Sequence, residues 1–216
     1  GAAFVAWTFE NVVTPSTGTG TFNVGSGLPA PSFAGGSTGQ AVSLSNWTTS
    51  TSLDGNYFVE FVASTIGKSA INLNFEYRAT GTGPQFLQIH YSTDGGANFV
   101  PLGSPVPLTG DSNFHPLSFD FASVSTLNDN ASSVFRVYGY AATGANGTLR
   151  LDDAVFCGIP ILTIDSVAPN PTNAGTTVTW HALENGNYDV RIGGTNCTDG
   201  TSITSGSYTT SPNPVP

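Results

Sequence analysis

The chain has 216 residues, of which only 9% are charged, with 26 Gly, 14 Pro and a formal charge of −9. Its five basic residues, Lys68, Arg78, Arg136, Arg150 and Arg191, are scattered, which excludes the basic stripe that nucleic acid or an anionic membrane surface requires. Fourteen Phe, seven Tyr and three Trp exclude a disordered chain, which lacks the apolar side chains that offset ordering entropy.

No stretch reaches the ~18 apolar residues of a membrane span. Met is absent, Lys is scarce, and the start Gly1-Ala2-Ala3 fits a removed signal peptide or a cloning scar. A secreted or cell-surface protein is therefore expected, all-β, with many short strands joined by Gly/Ser/Thr/Asn turns.

The first strand is predicted over residues 3–10, with Phe4, Trp7 and Phe9 as core candidates. Residues 14–39 read as a long loop or irregular edge. A strand is expected at 41–47 and another at 57–62, introduced by Asp54-Gly55-Asn56. Over 70–78 the alternation is clean: Ile71, Leu73, Phe75 and Tyr77 inward, Asn72, Asn74, Glu76 and Arg78 outward. Residues 84–99 form a predicted hairpin. Phe86, Gln88, His90 and Ser92 alternate with Leu87, Ile89 and Tyr91, and Asp94-Gly95-Gly96 supplies the turn. Strands at 116–121, 133–140 and 148–156 complete a jelly roll or sandwich.

Near Gly158-Ile159-Pro160 the pattern restarts, with strands expected at 161–167, 176–181, 187–192 and 206–210. The expected organisation is a jelly-roll β-sandwich over residues 1–158 and a small, incomplete immunoglobulin-like β domain over 159–216.

Catalytic signals are weak, and the chain reads as a non-enzyme. His90, His115 and His181 lie in three strand contexts with no acid partner at a telling spacing, and His90 is expected in solvent. No nucleophile elbow or distinguished carboxylate pair is present. A structural calcium is the cofactor the sequence admits, with Asp152-Asp153 and Glu10 supplying hard oxygen ligands. The competing reading has Asp152 outward and Asp153 capping a turn. Cys157 and Cys197, the only cysteines, are expected to pair in an oxidising compartment, closing a loop worth ~4 kcal/mol; two unpaired thiols are the alternative. Asn46, Asn130, Asn146 and Asn196 each match the N-glycosylation pattern. Trp47, Tyr57, Tyr138 and Tyr140 would line a sugar-stacking face, although strand aromatics are mostly core.

Residues 1–158 resemble a jelly-roll module of large secreted bacterial proteins. The likeness is carried by Tyr57-Phe-Val-Glu-Phe61, Thr82-Gly-Pro84, Tyr91-Ser-Thr-Asp-Gly95, Phe135-Arg-Val137 and Leu151-Asp-Asp-Ala-Val155. The resemblance implies a sugar-binding or structural accessory. From Ile161 the chain looks like the opening of a bacterial immunoglobulin-like repeat, carried by Ser166-Val-Ala-Pro-Asn-Pro171, Thr177-Val-Thr-Trp180 and Gly186-Asn-Tyr-Asp-Val-Arg191. The leading expectation is a structural subunit of a fibre, pilus or adhesin stalk. It would self-associate into a polymer or join neighbouring domains, with residues 2–10 or the tail as a donated strand. The alternative is a carbohydrate-binding module of a secreted hydrolase, with a glycan as partner.

Overall fold

The computed structural model describes residues 1–169, 176–182, 185–192, 201–208 and 213–215. The chain forms two compact units, Gly1–Ile159 and Pro160–Pro216.

The first unit is an antiparallel jelly-roll β-sandwich. Its strands are β1 (Ala2–Trp7), β2 (Thr21–Val24), β3 (Ser32–Gly35), β4 (Gln40–Leu44), β5 (Phe58–Val62), β6 (Lys68–Ala79), β7 (Phe86–Ser92), β8 (Val100–Pro101), β9 (Val106–Pro107), β10 (His115–Asp120), β11 (Val134–Tyr140) and β12 (Leu149–Pro160). One six-stranded sheet runs β10-β6-β12-β4-β3 with β1 also on β12. The other runs β2-β5-β11-β7-β8 with β9 also on β7. The region expected as a loop over 14–39 contains β2 and β3. Their few apolar residues are diluted by Gly, Ser and Thr, yet Phe22 is buried where β2 pairs with β5.

The alternating residues behave as their period requires. Ile71, Leu73, Phe75 and Tyr77 of β6 are buried, as are Val59 and Phe61 of β5 and Leu87 and Ile89 of β7. Between the sheets the aromatic rings form a chain: Trp7 to Phe61 at 5.1 Å, Phe61 to Phe156 at 5.8 Å, Phe156 to Phe135 at 4.7 Å and Phe135 to Phe121 at 5.1 Å. Each such ring contributes ~1.5–3 kcal/mol by leaving water, and ring pairs in tilted or edge geometry add to that.

One edge of β12 changes partner midway. Leu149, Arg150 and Leu151 pair with β4, whereas Ala154 to Gly158 pair with β1. Asp152 and Asp153 lie at the changeover, and Asp153 has a positive φ of 47°. The pairing of β1 also corrects the expectation that residues 2–10 are donated to another subunit. Ala2–Trp7 completes its own sheet, and Val5 and Trp7 enter its own core.

In the second unit, β13 (Leu162–Pro169), β14 (Thr176–Ala182) and β17 (Asn213–Val215) form one sheet. The pair β15 (Gly186–Ile192) and β16 (Thr201–Tyr208) forms another. Of the strand expected at 206–210, residues 206–208 are the end of β16, and 209–210 lie outside the described residues. Trp180 and Ala182 make a small core, with Trp180 5.7 Å from the Tyr188 ring.

Candidate functional site

The inward residues of β5, β11 and β7 fill the core, so their alternate residues make the outer face of the second sheet. Register lines these up in rows. Glu60, Arg136 and His90 are direct cross-strand neighbours, as are Phe58, Tyr138 and Gln88 in the next row and Tyr140 and Phe86 in the next. Asn23 of β2 extends the first row beside Glu60 and donates from its amide to Glu60 Oε1 at 3.1 Å.

Arg136 is the centre of this face. Its Nε donates to Glu60 Oε2 at 2.7 Å, and its guanidinium lies 4.0 Å from the Phe58 ring and 3.9 Å from the Phe99 ring. A planar cation between two rings gains from both quadrupoles. Burial works against this charge, but hydrogen bonding to Tyr138 and Glu60 wins and raises the Arg136 pKa. The His90 ring lies 4.8 Å from Tyr138, and Phe86 stacks on Tyr140 at 5.6 Å and 20°. Phe86 is 38% exposed, Phe58 and Phe99 are half-buried, and Tyr138 and Tyr140 are 5% and 7% exposed.

Phe99 reaches Arg136 because of the turn between β7 and β8. Asp94 Oδ1 accepts from Ser92 Oγ at 2.7 Å and from the Asn98 amide N at 3.0 Å, while Oδ2 accepts from Asn98 Nδ2 at 2.7 Å. The Gly96 N–H donates to Ser92 Oγ at 2.9 Å. Those bonds, from Asn98 first and Ser92 next, hold the Asp94 carboxyl down at about 2. Ser92 is consequently buried, although it shares the outward phase of Gln88 and His90.

Of the aromatics expected on a sugar-stacking face, Trp47 is core at 2% exposure and Tyr57 is half-buried. Only Tyr138 and Tyr140 reach the face. His90, expected in solvent, is half-buried, its Nε2 has no hydrogen-bond partner, and burial lowers its pKa. Sequence reasoning missed Phe58, Phe86, Phe99, Glu60 and Arg136. For Phe58, Glu60, Phe86 and Arg136 the phase shared with Tyr138 and His90 was the available signal; Phe99, just before β8, gave none. The other histidines do have acid partners: His115 Nε2 lies 3.0 Å from Asp111 Oδ1 and His181 Nδ1 lies 2.6 Å from Asp165 Oδ1.

The three acids expected to hold calcium converge on one hairpin tip, residues 36–40. Asp152 Oδ2 accepts from the N–H groups of Ser37 at 2.8 Å and Thr38 at 3.2 Å, and Oδ1 from the Asp153 N–H at 2.9 Å. Asp153 Oδ2 accepts from Thr38 Oγ1 at 3.2 Å, and both Glu10 oxygens accept from the Gln40 N–H at 3.2 Å. Gly36 and Gly39 leave the room: a Cβ would meet Asp152 Oδ2 and the Thr38 carbonyl at Gly36, and the Glu10 carboxylate at Gly39. Asp152 is fully buried, and that burial raises its pKa, outweighing the backbone hydrogen bonds that lower it. No group of three His, Cys, Asp or Glu side chains gathers tightly enough to hold a metal alone among the described residues.

A shallow depression of about 330 Å³ on the first sheet is lined by Asn74, Phe75, Glu76, Pro116, Leu117, Ser118 and Asp153, and Phe75, its one aromatic ring, is buried. Among the glycosylation candidates, Asn46 and Asn146 are exposed, whereas the Asn130 amide donates to Thr93 O at 3.2 Å and Thr126 O at 3.0 Å. Cys157 is half-buried on β12; Cys197 and Asn196 lie outside the described residues.

No protein-family model and no curated protein sequence matches the chain. Solved structures do. The K3 cleaved adhesin domain of Lys-gingipain from Porphyromonas gingivalis aligns at a TM-score of 0.50 and 16% identity, over 73% of this chain and 100% of that one. The CBM22-1 xylan-binding domain from Paenibacillus barcinonensis aligns at 0.49 and 13%, over 74% and 97%. The family 11 carbohydrate-binding module from Clostridium thermocellum, solved with a β-1,3-1,4-mixed-linked tetrasaccharide, aligns at 0.45 and 16%, over 74% and 99%. At such identities the likeness is one of fold. The shared fold is the jelly-roll sandwich.

Proposed function

We propose that the first unit is a non-catalytic carbohydrate-binding module of an extracellular protein, with its ligand on the outer face of the second sheet. The observation that carries this reading is the band of rings and polar groups there. Phe86, Phe58 and Phe99 offer apolar surface to the C–H faces of a sugar. Gln88, Asn23, Glu60 and Arg136 stand beside them to meet hydroxyls. Affinity electrophoresis in soluble xylan and mixed-linkage β-glucan, followed by a glycan array, tests it. Retention that drops about tenfold in Phe86→Ala, the loss of ~1–2 kcal/mol of ring contact, supports the site. No retention of the wild type on any glycan overturns it.

Glu10, Asp152 and Asp153, the acids around the 36–40 hairpin tip, belong to the same proposal as a structural calcium site. Asp152 carries a charge that burial disfavours, and the hard oxygens of Asp152, Asp153 and Glu10 all reach the same hairpin tip, where calcium would replace the N–H and O–H groups they accept from. Added calcium should raise the melting temperature and EDTA should lower it. A melting temperature indifferent to both leaves hydrogen bonds as the whole clasp.

Self-association, the second reading, rests on one observation in the second unit. Leu162 and Ile164 pair with Ala182 and Trp180, so they share the core face, and Val167 pairs with Val178. Yet they are 46%, 59% and 63% exposed. Sedimentation of the wild type against Ile164→Asp decides it. Equal monomeric boundaries remove this reading.

A further inference from the structure

The outer face of the second sheet holds one matched charge pair and one imidazole with nothing to share its charge. His90 is flanked in register by Arg136 of β11 on one side and Pro101 of β8 on the other, and it packs on the Tyr138 ring. We propose that this face releases its ligand in mildly acidic conditions, with His90 as the switch; the inference rests on reading the face as a glycan site.

Consider what a proton on His90 would meet. From β11 the ionisable groups are Arg136 and Tyr138; from β5, behind Arg136, Glu60 is already engaged by Arg136 and Asn23. Strands β8 and β9 bring Val100, Pro101, Val106 and Pro107, none of them ionisable. On the hairpin, Asp94 is saturated by Ser92 and Asn98, and Tyr91 pairs with Val100 at the next position of β7. A second cation directly opposite Arg136 repels it, and a charged nitrogen at the buried, unpartnered Nε2 position lacks both acceptor and water. Both costs fall if the ring leaves Tyr138, and because His90 pairs with Pro101, two residues beyond Phe99, the proposed movement loosens the segment that holds Phe99 against Arg136. The ligand surface is then no longer assembled.

The direction follows from linkage. A histidine whose folded pKa lies below its unfolded value favours the neutral form in the folded state. Its contribution is complete above the unfolded value, near 6.5, and is lost as pH falls toward the folded one. The face is therefore closed and competent at neutral pH and opens in acid.

The test uses the whole chain and two readouts. Affinity electrophoresis in soluble xylan and in mixed-linkage β-glucan, from about pH 7.5 to about pH 5, should show wild-type affinity falling about tenfold while His90→Gln stays flat. Parallel loss in both proteins, or a flat wild type, overturns the proposal. The second readout needs no ligand: the imidazole C–H signals of His90, followed by NMR through the same range. A midpoint below the ordinary histidine value, with concerted shifts at Phe99 and Arg136, supports the switch. An ordinary midpoint without those shifts overturns it. Should neither polysaccharide be retained at any pH, the glycan reading fails, and the NMR titration alone judges the switch.

Discussion

Asp94 and Asp152 are both carboxylates wrapped in hydrogen bonds, yet they pull stability in opposite directions with pH. Asp94 is exposed, and its bonds to Asn98 and Ser92 hold it at about 2, below the ordinary 3.8. A depressed folded pKa contributes stability above the unfolded value and loses it as pH falls through the folded one. Asp94→Ala should therefore be less stable than wild type at neutral pH, a difference that shrinks as pH falls from about 4 to about 2 and is gone below, followed by urea denaturation at each pH. Asp152 is raised by burial, so its linkage has the other sign: that contribution is present in acid and shrinks as pH rises through the carboxylate range. Asp152→Ala leaves the part-buried N–H groups of Ser37, Thr38 and Asp153 without this acceptor, and equilibrium denaturation should show a loss of about 2 kcal/mol. A loss near zero would mean that water satisfies the hairpin tip equally well.

The elements differ in how far their own residues specify them. The alternation in β6 and over Phe86–His90 of β7 is strong enough to place each inward side chain, because one face is buried; β11, buried at six of its seven positions, carries no such contrast. Pairing between strands distant in sequence is another matter. Nothing local to Leu149–Pro160 says that this strand exchanges β4 for β1 at Asp152, or that the tip of the β3–β4 hairpin closes over that point. Gly39 records the consequence, with a φ of 50° and no space for a Cβ beside Glu10. Gly39→Ala should cost about 1–3 kcal/mol, the price of strained backbone plus a displaced carboxylate, measurable as a lower midpoint in urea. An unchanged midpoint would show that the tip can rotate away from Glu10 without loss.

At the scale of the whole molecule, the sandwich holds together through rings that meet from both sheets. Phe135 touches both Phe156 and Phe121, so Phe135→Ala should cost about 3–5 kcal/mol and unfold the first unit at lower denaturant. A cost below that of one buried methylene would mean that the sheets close over the cavity. The all-β class, the inward phase of the long strands and the Asp-Gly turn follow from sequence alone, because period, aromatic content and turn chemistry are local properties. The acids Glu10, Asp152 and Asp153 were legible as a group only because each ends or interrupts a strand. The face proposed to take a ligand was legible only as a shared phase within each strand, not as one surface. Phe58, Arg136 and Phe99 are 78 and 37 residues apart along the chain, as their numbers show, and they become one clamp only when β5, β11 and the β7–β8 hairpin fall into register. Which side chains share a surface depends on long-range pairing, and that is decided by tertiary structure.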